Sequence, residues 1–88
     1  MKHARADALD QLETLLVDLR ALPGLKERSR GVFYRGPRAF LHFHEDPAGL
    51  FADIRLGDEF ERRDVTSAKD RAALLADAQS VLSGESSR

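Results

Sequence analysis

The sequence has no cysteine and no tryptophan, and a single tyrosine and a single methionine among 88 residues. Without cysteine there is no disulfide staple, no thiolate nucleophile and no cysteine-ligated zinc. Long apolar runs are missing too. The longest, Ala72 to Ala76, falls far short of the roughly 20 residues that span a bilayer. The stretch Met1 to Gln11 has no apolar core of the kind a secretory signal needs, so a cytoplasmic location is expected. Gly24, Gly31, Gly36, Gly49 and Gly57 each sit at an element boundary. Neither a Walker-type loop nor a GxGxxG run exists, and no cofactor is expected. An excess of one charge is also lacking: Lys and Arg number 14 against 15 Asp and Glu, a formal net charge of −1. Binding to nucleic acid through bulk charge is thereby excluded.

What is present suits one small globular domain, 42% apolar and 33% charged. The domain is expected over residues 1–84, followed by a frayed polar tail at 85–88. A chain this short buries only roughly 60–65% of its unfolded surface, and such domains often complete their core against another chain. The charges are unevenly placed. Lys26, Arg28, Arg30, Arg35 and Arg38 stand against Glu27 alone, whereas residues 45–64 carry seven acids against Arg55, Arg62 and Arg63.

The period of the apolar residues changes twice along the chain. From about Ala4 to Leu22, the residues Ala8, Leu9, Leu12, Leu15, Leu16, Leu19 and Leu22 fall on one helical stripe, with Val17 left facing water. Pro23-Gly24 stops that helix. Val32–Arg35, Arg38–His44 and Leu50–Leu56 then read as short strands, with a fourth around Phe60–Val65 as a charged edge. Gly36-Pro37 and Asp46-Pro47-Ala48-Gly49 are too short to join anything but antiparallel neighbours. A second helix is predicted from Ser67 to Ser83, capped by Ser67 with Asp70 three residues on, and closed by Gly84. The expected fold is α+β in the order α-β-β-β-(β)-α. A three- to four-stranded antiparallel sheet should carry both helices on one face and leave the other face open.

Two registers compete in the second hairpin. A two-residue turn at Pro47-Ala48 sets His44 against Phe51 and His42 against Asp53, gathering Ala39, Leu41, Phe43, Leu50, Ala52, Ile54 and Leu56 on one wholly apolar face. A three-residue loop, favoured by turn grammar, slips the pairing by one and mixes the faces. Burial decides register, and the two-residue turn is expected.

Three functions fit these residues. On the expected open face, Phe33, Phe40 and Phe51 form an aromatic patch beside His42, His44, Asp53 and Arg55. Such a patch marks a contact, so a non-catalytic domain that forms a homodimer or binds a protein partner is the leading expectation. The basic segment Lys26, Arg28, Arg30, Arg35 and Arg38, with Phe33 and Tyr34 interleaved, also suits weak nucleic-acid binding. It equally suits a solvated edge. His42 and His44 share a strand face and could converge on one metal ion with Asp53 as third ligand, or could be two half-exposed sheet histidines. A His–Asp pair suits general-base work, but no serine or cysteine has a claim to sit beside it, and catalysis is not expected.

Leu22-Pro23-Gly24 after an N-terminal helix, followed by Gly31-Val32-Phe33-Tyr34-Arg35-Gly36 and Arg38-Ala39-Phe40-Leu41-His42-Phe43, resembles the small MmcQ/YjbR-like proteins over roughly residues 9–82. The strand Leu41 to Glu45 is similar to the small domain labelled luciferase-like in some bacterial sequences. The first resemblance implies the same α+β fold and, by fold similarity, a DNA-binding label. Neither implies an active site.

Overall fold

The computed structural model describes residues 1–84; the expected tail lies outside them. The elements are β1 (Lys2–His3), α1 (Ala6–Gln11), α2 (Glu13–Arg20), β2 (Lys26–Ser29), β3 (Val32–Arg35), β4 (Arg38–Asp46), β5 (Gly49–Arg55), β6 (Phe60–Asp64) and α3 (Ala68–Ser83). The fold is α+β, with one antiparallel sheet in the order β2-β3-β4-β5-β6 and β1 paired to β4 off that path. Long β4 makes this possible: β3 occupies one edge along Arg38–Leu41, and β1 takes the same edge further on, at His44–Glu45.

The sheet therefore has two more strands than the sequence pattern suggests. Lys26–Ser29 is all polar or charged and largely exposed, so it carries none of the apolar alternation that marks a strand. Its place is fixed by pairing with β3 and by Glu27, which accepts hydrogen bonds from Arg20 of α2 and from the Gly31 amide at 2.8 Å. The N-terminal helix is also broken once, at Leu12 (φ −94°, ψ 4°), into α1 and α2. Leu12 stays fully buried through the break. The Gln11 carbonyl turns toward Arg71 of α3, whose Nη1 lies 3.4 Å away. The same guanidinium donates to the carbonyls of Val65 and Thr66 at 2.7 and 3.0 Å, tying the start of α3 to the end of the sheet.

Helix α3 begins and ends as its sequence dictates. Ser67 Oγ accepts from the Asp70 amide at 3.1 Å, and Gly84 closes the helix at φ +80°. The core is one cluster. Leu9, Leu12, Leu16 and Leu19 from the first helices and Leu74 and Ala78 from α3 pack on Leu41, Phe43, Ala52 and Ile54 of the sheet.

The two-residue turn is the one adopted: Asp46 pairs with Gly49, His44 with Phe51 and His42 with Asp53. The Ala48 amide donates to Asp46 Oδ1 at 2.8 Å, which supports the turn. Gly49 is required where it stands. Its φ is +149°, and a Cβ there would lie 2.3 Å from Thr66 Oγ1, the hydroxyl that accepts from the Leu50 amide at 3.0 Å.

Alternation holds along β5 but fails in β4. Phe33 pairs with Leu41 and Tyr34 with Ala39, leaving Phe40 as the extra residue of a bulge. Phe40 is buried beside Leu41, and Phe33 is fully buried on the helix-packed face with its partner. Both were expected on the open face. The bulge explains Phe40, and it also shifts the parity of β3 relative to the rest of β4, which explains Phe33.

Candidate metal centre on the open sheet face

The face turned away from the helices carries His42 and His44 of β4, Phe51, Asp53 and Arg55 of β5, and Phe60, Arg62 and Asp64 of β6, as the register requires. His3 joins them because β1 sets it opposite His44. The His3 and His44 rings stack, with centroids 5.0 Å apart and planes at 27°. One ligand nitrogen from each of His3, His42 and His44 lies within 4.8 Å of the other two.

Two of these nitrogens are closer still. His42 Nδ1 lies 3.1 Å from His44 Nε2, and the latter lies 3.0 Å from Asp53 Oδ2. An imidazole nitrogen holds either one proton or one lone pair in the ring plane. If His44 Nε2 carries the proton, it donates to Asp53, and buried Nδ1 is left as an acceptor with no partner among the described residues. If Nδ1 carries the proton, a buried donor is left without a partner, and the Nε2 lone pair faces a carboxylate. Neither tautomer satisfies the ring.

Asp53 is held firmly. Arg62, opposite it on β6, donates from Nε to Oδ1 and from Nη2 to Oδ2, both at 2.8 Å. That guanidinium keeps the Asp53 carboxyl below the usual carboxylate range, against a smaller opposing effect of burial. For His42, burial pushes the pKa down from the ordinary imidazole value, and the neighbouring His44 pushes it down further. Asp53 pulls the other way more weakly. Phe60 covers His42 edge-on at 4.9 Å and in turn lies beneath the Arg55 guanidinium at 4.3 Å.

The residues expected at this site thus divide. His42, His44 and Asp53 come together, although Asp53 touches His44 rather than its register partner His42. Phe51 is half-buried on this face, while Phe33 and Phe40 belong to the core. Arg55 donates to the carbonyls of Ala39 and Asp58 at 3.0 and 2.8 Å. The basic segment also divides. Arg30 is paired with Asp10 and Glu13 at 2.9 Å on the helix side. Arg28 sits over the Tyr34 ring at 4.2 Å, with Lys26 in register beside that ring, and Arg35 and Arg38 lie at the β3–β4 turn.

His3, Phe60 and Arg62 escaped the sequence reading. Arg62 could have been found by extending the hairpin register into the fourth strand. His3 had no signal, since a two-residue strand is below any periodicity. No family model, curated protein or solved structure matches the chain.

Proposed function

We propose that this chain is a metal-binding domain that holds a divalent transition-metal ion between His3, His42 and His44, with Asp53 as a neighbouring carboxylate. The observation that carries the reading is the convergence of three imidazoles, two of whose nitrogens are 3.1 Å apart. Zinc binds imidazole nitrogen at about 2.0–2.1 Å, so two such ligands in a tetrahedral site stand about 3.3 Å apart. The pair needs only a small adjustment to meet that spacing. A cation between them gives the lone pairs of His42 Nδ1 and His44 Nε2 one common partner and fixes the His44 proton on buried Nδ1, whose own lack of a partner it does not relieve. Imidazole ligation suits zinc, copper and nickel. Three histidines leave one coordination position for Asp53, water or an exogenous ligand.

Calorimetric titration with zinc and with nickel, together with thermal melts, tests the reading. At a hundred times Kd a single ion stabilises the fold by about 2.7 kcal/mol, or roughly 10–20 °C in a domain of this size. His42→Ala and His44→Ala should each abolish the rise, and His3→Ala should weaken it. An unchanged melt in excess metal, or an equal rise in a variant carrying both His42→Ala and His44→Ala, defeats the proposal.

A second reading is association through the same face, as a homodimer or with a protein partner. Phe60, 38% exposed at one end of the face whose other end carries half-buried Phe51, supports it. With Phe33 and Phe40 in the core, the aromatic patch behind it is smaller than the sequence suggests. Sedimentation of the wild type and of Phe51→Glu, with and without metal, separates the two readings.

A further inference from the structure

The turn at Gly36-Pro37 folds β3 onto β4 with Arg35 directly opposite Arg38. Like charges facing one another across an antiparallel pair destabilise it. Neither guanidinium has an ion-pair partner among the described residues, although Arg20, Arg30, Arg62 and Arg63 each hold a carboxylate.

A third guanidinium, that of Arg55 on β5, reaches the same place. The ladder between β4 and β5 stops at Leu41–Ile54. Beyond it, the Ala39 carbonyl accepts from Arg55 Nε and the Asp58 carbonyl from Arg55 Nη1. Two hydrogen bonds to backbone thus fix the Arg55 head, and its Nη2 has no partner among the described residues. Arg35, Arg38 and Arg55 line one cleft of about 100 Å3 over Phe40 and Gly57, with no acidic side chain in its wall. The space matches a few water molecules at about 30 Å3 each.

We propose that this cleft binds a phosphate group, as inorganic phosphate or as a phosphate monoester. Guanidinium forks match the oxygens of a phosphate through charge-assisted hydrogen bonds. Arg55 is already oriented, so less side-chain freedom is lost when the anion binds. An anion between Arg35 and Arg38 also turns their mutual repulsion into two attractions. The cleft lies at the Arg38 end of β4, and the histidines lie further along the strand, so it does not rest on the metal site.

The test is a series of thermal melts in inorganic phosphate at pH 7.5, with sodium chloride adjusted to keep ionic strength constant, alongside phosphorus NMR line widths. A saturable rise in Tm is expected, repeated or strengthened with glycerol phosphate as the monoester. Arg35→Gln/Arg38→Gln should weaken binding about tenfold or more. Because it removes a like-charge pair, this double variant should melt no lower than the wild type without phosphate. Arg55→Lys keeps the charge and loses the fork, and should weaken binding several-fold. A rise that does not saturate, or an equal rise in the double variant, overturns the proposal. So does binding of a short single-stranded oligonucleotide through Arg35 and Arg38 with no saturable response to either small phosphate.

Discussion

The two faces of the sheet are built on opposite terms. The helix-packed face is apolar, and its members Leu41, Ala52 and Ile54 are fully buried. The open face has His44 and Asp53 almost as well shielded, at 12% and 13% side-chain exposure, but shielded by one another and by charged neighbours. Burial on the first face is stabilising by itself. On the second it is tolerable only while each polar atom has a partner, and His44 Nδ1 has none among the described residues. The face that completes the fold is the one that could be replaced by any well-packed apolar set. The face that carries polar groups at a cost is the one where function is to be sought.

That contrast can be broken most forcefully from the apolar side. Leu41→Ala should cost about 2–5 kcal/mol, enough to unfold much of so small a domain, and denaturant titration reads it. A cost well under 1 kcal/mol would mean that the helix-packed face is not the source of stability.

Acid should act through the other face. His42 has a folded pKa below its unfolded value, so its contribution to stability is complete above about pH 6.5 and is lost as pH falls toward the folded value. Asp53 is depressed as well, so its contribution is complete above about pH 4 and disappears at lower pH. Urea midpoints of the metal-free protein should therefore fall in two stages, first in the imidazole range and then in the carboxylate range. His42→Ala should flatten the first stage and leave the second. A midpoint independent of pH between 8 and 5 would contradict the assignment.

The smallest effect belongs to the exposed edge of the same face. Phe60→Ser removes the ring beneath Arg55 and beside His42, and should cost only about 0.5–1 kcal/mol. If it cost as much as Leu41→Ala, the two faces would not differ as described.

Much of the fold was legible beforehand. The leucine stripe, the cap at Ser67 and the stop at Gly84 are local, and local chemistry fixed each of them, whereas the turn at Pro47-Ala48 went against local turn grammar and was settled by burial. The register followed from the apolar set on β4 and β5, because a slip of one residue would have buried His42 and His44 in the core. The break at Leu12 was not legible, since the residue keeps its place in the stripe and only the carbonyl before it turns away. Half of the candidate site was legible as well. His42 and His44 share a face by alternation, and Asp53 faces them by register.

The sequence by itself determined the α+β architecture, the antiparallel hairpins and the separation of an apolar face from a polar one. These depend on periods of 3.6 and 2 and on turn residues close together in the chain. Tertiary structure alone decided that Phe33 and Phe40 are buried, that polar Lys26–Ser29 is a strand, and that His3 stands against His44. The bulge at Phe40 arises from three strands pairing at once, so no single strand's pattern contains it. His3 reaches the site through backbone pairing 41 residues away in the chain, and backbone hydrogen bonds, open to every residue type but proline, leave almost no mark in the sequence.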